Sequence, residues 1–387
     1  MPGPRRALSL LVPLVTAVAL TGVPATAVAD TARTPDTAEL QAALGDLVQQ
    51  PGGPPGAVVT LGRDGDLDVL TAGVADLATG RPPAAGDAMR VASVAKAFNA
   101  AAVLALVSRG VLTLDDPVGT WRPDLPPAWQ PVTLRQLLGH TSGIPDFSRS
   151  EAFADALLAS LQDPPPPREL LSYVEDEPLL FAPGSEYRYS NSDNVVAGLV
   201  VEAVTGRPYA EALAALVLRP AGLRATGLPV GSDLPSPYLH GYDVSEQPPE
   251  DVSTAIAAGW SWASGGVVST PADLARFIGA HVRGDLTDPA TRDQQSTFRP
   301  GSSEPPGPGE NSAGLGVFRY DTRCGTVFGH TGNTAGYTQF AAATADGART
   351  VTVSVTGQLT PGSAPELFPR LRAVFELATC AAVAGHR

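Results

Sequence analysis

Val91-Ala92-Ser93-Val94-Ala95-Lys96 opens a stretch that continues through Ala97-Phe98 to Ser108 with few polar side chains. Apolar residues on every side suit a helix buried all round, over Val94 to Ser108, with Gly110 placed to end it. Into this helix the chain puts its single lysine: lysine and arginine together number 26, and the other 25 are arginine. Arginine keeps its proton in a protein, whereas a buried lysine can become a neutral amine. Lys96 is therefore a candidate proton acceptor. Ser93 stands three residues upstream, on the same helical face. Burial and the positive end of the helix dipole both act to lower the lysine pKa. A serine hydroxyl is a weak nucleophile until a base takes its proton, so the pair reads as an activated serine. Ser-x-x-Lys alone is a weak pattern; its coincidence with the single lysine, among apolar neighbours, is what gives it weight.

Outward from this helix the pattern is mixed. Thr34 to Gln50 carries Leu40, Leu44 and Leu47 at helical spacing. Ala57 to Leu61 and Asp68 to Gly73 read as strands around a Gly62-Arg63-Asp64-Gly65 turn, and Ala88 to Val91 as a short strand before Ser93. From about Leu112 to Gly259 helical signals recur between proline-rich loops, at 134–138, 152–161, 194–204 and 209–217. Strands are expected at 266–269, 314–320, 326–329, 337–343 and 350–356, then a helix over Ala364 to Thr379. Strands grouped in runs, with helices segregated from them, predict an α+β fold: an antiparallel sheet flanked by N- and C-terminal helices, plus a mostly helical lobe. The expected divisions are 1–29, 30–111, 112–265 and 266–387.

The first of these reads as a secretory leader. Arg5 and Arg6 precede a mostly apolar run from Ala7 to Val23, and Ala27-Val28-Ala29 has small residues suited to cleavage before Asp30. The expected location is secreted, extracellular. Without residues 1–29 the formal charge goes from −13 to −15, since two arginines and no acids leave. Such an acidic surface repels phosphate backbones and anionic membranes, which argues against a nucleic-acid partner. No later stretch approaches the length of a membrane span. Cys324 and Cys380 are the two cysteines. In an oxidising compartment a disulfide between them is expected, with two buried thiols as the alternative.

Two further clusters can do chemistry. Tyr189-Ser190-Asn191 follows a Pro183-Gly184 turn and precedes a helix. A tyrosine hydroxyl beside a cationic amine can have a lowered pKa and shuttle protons, while an asparagine amide can hold both lysine and substrate. His330-Thr331-Gly332-Asn333 lies at the end of an expected strand, where a substrate could lie along the backbone with an N–H near Asn333 aimed at its carbonyl oxygen. Taken singly, each cluster is as readily structural.

Together, Ser93-Val94-Ala95-Lys96, Tyr189-Ser190-Asn191 and His330-Thr331-Gly332 resemble, in order and approximate spacing, the three motifs of the penicillin-recognising serine hydrolases. Leu137-Leu138-Gly139-His140-Thr141-Ser142-Gly143 resembles a signature of the branch containing class C β-lactamases and secreted DD-peptidases. His-Thr-Gly in place of Lys-Thr-Gly looks most like secreted D-alanyl-D-alanine carboxypeptidases. The resemblance implies a β-lactamase/DD-peptidase-like fold with Ser93 acylated and Lys96 and Tyr189 sharing proton transfers. It implies an oxyanion hole from the N–H groups of Ser93 and Asn333, and Thr331 with His330 beside the substrate carboxylate. Trp260 and Phe153 resemble pocket-lining aromatics, and Arg319 the arginine that pairs with a terminal carboxylate. Asn333 departs from the threonine of similar carboxypeptidases. The expected function is a D-alanyl-D-alanine carboxypeptidase or transpeptidase acylated by β-lactams, with a peptidoglycan stem peptide as partner, no cofactor or metal, and a monomeric chain. A β-lactamase, an esterase, a D-amino-acid amidase and a non-catalytic peptidoglycan binder are the alternatives.

Overall fold

Leu40, Leu44 and Leu47 recur at helical spacing, and in the computed structural model all three are fully buried on one face of helix α1 (Thr37–Gln49). The structure describes residues 37–384 apart from Asp64, Glu246 and Ser303; the proposed leader lies outside the described residues. Strands β1 (Gly56–Arg63) and β2 (Asp66–Gly73) form a hairpin with Arg63 opposite Asp66. The short β3 (Met89–Arg90) then leads to helix α2 (Ala95–Ser108), in which every residue from Ala95 to Leu106 is buried.

The middle of the chain is helical, with α3 (Leu134–Leu138), α4 (Glu151–Ala159), α5 (Asn191–Thr205) and α6 (Tyr209–Leu213). Two-residue strands β4 (Tyr242–Asp243) and β5 (Glu250–Asp251) pair with each other. Helix α7 (Trp262–Gly265) precedes β6 (Val268–Ser269), which pairs with β3. Helices α8 (Pro271–Arg283) and α9 (Pro289–Gln295) follow. Strands β7 (Glu310–Ala313), β8 (Phe318–Thr322), β9 (Gly325–Thr334), β10 (Tyr337–Ala343) and β11 (Arg349–Val355) complete the sheet, and α10 (Phe368–Ala384) closes the described chain. The seven-stranded sheet has the order β2-β1-β11-β10-β9-β8-β7, antiparallel throughout.

Both faces of this sheet are covered, and side chains alternate between them as strand geometry requires. Ala57, Val59, Phe340, Ala342, Val351 and Val353 join the core under α1 and α10, whereas Val58, Ala341 and Ala343 join the core shared with α8 and the helical lobe. Phe98 of α2 stacks on Phe277 of α8, with ring centroids 3.6 Å apart. Helix α8 therefore sits between the sheet and the buried helix that carries Lys96.

Several expectations shift for physical reasons. The strand expected at 314–320 becomes β8, because Gly314 to Val317 instead crosses α2. A Cβ at Gly316 would fall 2.1 Å from that of Ala100, and its φ is +66°. The helix expected from Ala364 begins at Phe368, since Pro365 disfavours helical backbone at Ala364 while Pro369 sits in the first turn. The strand expected at 326–329 extends to Thr334, so His330 to Asn333 lie within β9. Helix α8 was not anticipated. Its signals are nevertheless in the sequence: Thr270 caps Asp273 N–H, Pro271 begins the helix, Gly284 ends it, and Leu274, Phe277, Ile278 and Val282 share a face.

Cys324, in the β8–β9 turn, and Cys380, on α10, form a disulfide with Cα atoms 5.1 Å apart. Their sequence separation is 56. Closing such a loop stabilises a fold by about 4 kcal/mol in the chain-entropy picture. Cys324→Ser with Cys380→Ser should lower stability by that order, read as a shift in denaturant midpoint; an unchanged midpoint would refute this.

Candidate active site

The turn that presents Ser93 is assembled by neighbours on both sides. Val91 N–H donates to Val267 O, and Ala92 adopts φ +48°, a left-handed conformation uncommon for a residue with a Cβ. This bend carries the chain from β3 into the short turn Ala92–Val94 that leads into α2. Strand β9 passes directly alongside. A Cβ at Gly332 would lie 2.4 Å from Val91 O and 3.1 Å from Ser93 N, so glycine is what permits this approach. Asn333 follows at the crossing. Its side chain accepts from Thr338 Oγ1 at 2.8 Å, which ties it into the sheet.

Lys96 Nζ lies 3.1 Å from Ser93 Oγ, 2.7 Å from Asn191 Oδ1 and 2.7 Å from Ser264 O. Two of these partners are carbonyl oxygens, which only accept. A neutral amine has two N–H bonds and one lone pair. With both N–H groups on the carbonyls, the lone pair is left facing the Ser93 hydroxyl. This depends on which way the Asn191 amide points, and its nitrogen donates to Asp146 Oδ2 at 3.1 Å and Ser148 Oγ at 2.8 Å. Asp146 also accepts from Ser148 N–H and hydroxyl, capping the turn Phe147–Arg149. It was absent from the expected site. Asp146-Phe147-Ser148 is an Asx-turn pattern in sequence, but nothing local says that it faces Asn191.

Burial brings the Lys96 pKa down to about 7, with the carboxylates of Asp146 and Asp193 opposing the fall. Its Nζ lies 4.9 Å from the centre of the Tyr189 ring. For Tyr189 the expectation of a lowered pKa is corrected. Burial pushes the phenol well above its ordinary value, and the Ser93 hydroxyl, though near enough to pull the other way, forms no hydrogen bond with it. Tyr189 is thus a protonated phenol that can donate and relay. Beneath it lies His140, ring centroids 4.5 Å apart. Burial and the charge of Lys96 hold His140 down to about 3, and its Nδ1 lies 2.9 Å from Asp193.

The remaining expected residues divide. Thr331 is buried, and its hydroxyl has no partner among the described residues. His330 Nδ1 lies 2.5 Å from Thr331 O, a geometry that places the proton on Nδ1 and leaves Nε2 as a buried acceptor. Burial and then the Lys96 charge lower its pKa to about 3, so His330 is neutral. Phe153 and Trp260 meet edge to face at 5.7 Å in a cluster with Tyr173 and Phe147, and Trp260 Nε1 donates to Ser160 O. Arg319 requires correction. It pairs in register with Phe328, four residues along β9 from Gly332, and its guanidinium is held 3.0 Å from Asp321 in an exposed ion pair.

Two substitutions test this arrangement. Lys96→Arg keeps the charge and removes the base, so acylation of Ser93 should fall about a hundredfold or more. Asp146→Asn keeps an acceptor for the Asn191 amide but removes a charge that raises the Lys96 pKa. The acylation rate of the native chain should rise with pH through about 7, and in Asp146→Asn this limb should move to lower pH. A limb that stays put would mean Asp146 does not act on Lys96.

The family described as Beta-lactamase matches residues 44–375. The esterase EstB of Burkholderia gladioli is 39% identical over 183 residues, 44% of this chain and 46% of that protein. Penicillin-binding protein 4* of Bacillus subtilis (strain 168) is 28% identical over 244 residues, 59% of this chain and 52% of that one. The chain thus spans about half the length of these curated relatives. The structure of a D-stereospecific amidohydrolase from Streptomyces sp. superposes with a TM-score of 0.74 at 33% identity, covering 84% of this chain and 95% of that one. With its serine, lysine, tyrosine and His-Thr-Gly strand gathered at one point, the chain belongs to the Beta-lactamase family, within the serine β-lactamase and penicillin-binding superfamily.

Proposed function

We propose that the chain is a secreted serine hydrolase that cleaves the amide bond following a D-amino acid, through an acyl-enzyme on Ser93. The observation that carries this reading is Lys96 Nζ lying 3.1 Å from Ser93 Oγ while its two other partners are carbonyl oxygens. Lys96 takes the Ser93 proton as the oxygen attacks the substrate carbonyl. The N–H groups of Ser93 and Asn333 receive the developing oxyanion. The C–N bond breaks as Tyr189 passes a proton to the departing nitrogen, drawn back from Lys96. Water then attacks the ester by the same route in reverse and frees Ser93; an amine in its place gives transpeptidation. Export rests on the reading of residues 1–29.

Within this reading, D-alanyl-D-alanine carboxypeptidase activity is the form that the motifs resemble. A second form has a specific observation in its favour. A carboxypeptidase recognises a free carboxylate on its leaving group, yet neither residue expected beside that carboxylate presents a free cation. His330 is neutral, and Arg319 is engaged with Asp321. This favours leaving groups without a carboxylate, as in D-amino-acid amides, internal peptide bonds or esters. The 33% identity to a D-stereospecific amidohydrolase points the same way.

Intact-mass spectrometry after mixing with penicillin should show one covalent adduct on the native chain and none on Ser93→Ala. A long-lived adduct supports the peptide hydrolase, and one that vanishes within the assay supports a β-lactamase. Hydrolysis of N-acetyl-D-Ala-D-Ala and of its C-terminal amide, measured side by side, separates the two forms. Faster cleavage of the amide is expected; a strong preference for the free acid would restore the carboxypeptidase. No adduct and no hydrolysis of either would refute the reading.

A further inference from the structure

A buried cation beside the nucleophile turn has no part in the chemistry above. Arg90 ends β3, three residues before Ser93, and is 7% exposed. Its Nε donates to Ser253 O at 3.0 Å and one Nη to Ser232 O at 2.6 Å. Both partners are neutral carbonyls. Burial draws the guanidinium pKa below its ordinary value, with Tyr337 opposing, and no carboxylate among the described residues acts to hold it up. A desolvated charge is costly unless it is paired, and the two hydrogen bonds to carbonyls occupy two of its five N–H groups without cancelling its charge.

Arg90 and Ser261 line an open cleft with Gly265, Gly266, Thr334 and Ala335, and the apolar Val252, Ile256, Ala257 and Ala258 complete its wall. Chain continuity ties this cleft to the catalytic centre at two points. Gly265 follows Ser264, whose carbonyl holds Lys96. Thr334 and Ala335 follow Asn333, just past the point where β9 crosses Ser93. Thr331 and Thr334 lie on opposite sides of that crossing. On the reading above, the leaving group lies beside Thr331, so the acyl portion of the substrate extends along β9 towards Thr334 and the cleft.

We propose that this cleft is a subsite for a carboxylate on the acyl portion of the substrate, paired there with Arg90. The ligand class is an N-acylated D-amino acid, or a peptide ending in one, with an acidic group on the acyl side of the scissile bond. The inference rests on the acyl-enzyme reading for its direction along β9. Charge complementarity at this point selects among acyl groups, in contrast to the leaving side, where His330 and Arg319 offer no cation.

Calorimetry on the full chain carrying Ser93→Ala reads binding without turnover. The probes are N-succinyl-D-alanine amide and N-butanoyl-D-alanine amide, which differ by one carboxylate. The succinyl compound should bind about tenfold or more tightly, the factor expected of a hydrogen bond to a charged group. Adding Arg90→Gln should bring the affinity ratio close to one. Because Arg90 also ties two loops together, Ser261→Asp is the companion variant: it leaves Arg90 in place and sets a competing carboxylate in the cleft, and it too should abolish the ratio. Equal affinities in Ser93→Ala, a ratio that survives both changes, or no binding of either compound would overturn the proposal. Failure of the acyl-enzyme reading shows separately, as absence of a penicillin adduct on the native chain.

Discussion

The chemistry of this molecule depends on holding one amine out of water between two carbonyl oxygens and one hydroxyl. As an ammonium, Lys96 would donate to all three partners; as an amine, it has donors for Asn191 and Ser264 alone and must turn its lone pair to Ser93. A pKa of about 7 sets these two forms near balance. That suits a group which accepts a proton in one step and returns it in the next. The balance is between opposing effects of large size. Enclosure by the helical lobe favours the neutral form, and the carboxylates of Asp146 and Asp193 favour the charged one.

The rest of the architecture maintains this arrangement. Helix α2 is buried all round because α5, α6, α7 and α9 pack on it and Phe277 of α8 stacks on its Phe98, which keeps Lys96 out of solvent. Helix α5 begins at Asn191, so the amide that holds Lys96 is fixed to a rigid element, and Asp146 sets its orientation. Strand β9 reaches Ser93 only because residue 332 has no side chain. The three non-glycine residues with left-handed backbone among the described residues are Ala92, His140 and Trp262. One adjoins Ser93, one underlies Tyr189, and one lies two residues before Ser264, whose carbonyl accepts from Lys96. Such conformations persist where surrounding structure over-determines them, and they gather at functional sites. The Tyr189 hydroxyl, the Thr331 hydroxyl and His330 Nε2 are buried and have no hydrogen-bond partner among the described residues. Polar atoms in that state are the groups that a substrate or ordered water would satisfy.

Legibility in the sequence followed the range of the forces involved. Ser93 and Lys96 could be paired because one helical turn relates them, and a single lysine among apolar residues already implied a desolvated amine. The first helix and strands β10 and β11 could be read because their apolar periodicity is local. Tyr189 and His330 were named as reactive groups, but their protonation was misjudged in one case and unaddressed in the other. Burial decides both, and burial is a property of everything packed around the group. Arg319 failed for a related reason. Its position along the sheet is set by the pairing of β8 with β9, and its charge is claimed by Asp321 two residues away.

By itself, then, the sequence determined which residues were equipped for chemistry: a serine and a lysine one turn apart, a tyrosine and an asparagine at a helix start, and a glycine where a strand must come close. These are properties of residue type and short spacing. Tertiary structure decided what those residues are when assembled. It lowered the Lys96 pKa by excluding water, kept Tyr189 a phenol and His330 an uncharged acceptor, and recruited Asp146 from a separate loop to aim an amide. It also left Arg90 buried beside Ser93 with no counter-ion among the described residues. Solvation and the sum of surrounding charges govern these outcomes, and both are set by atoms that are distant along the chain and adjacent only after folding.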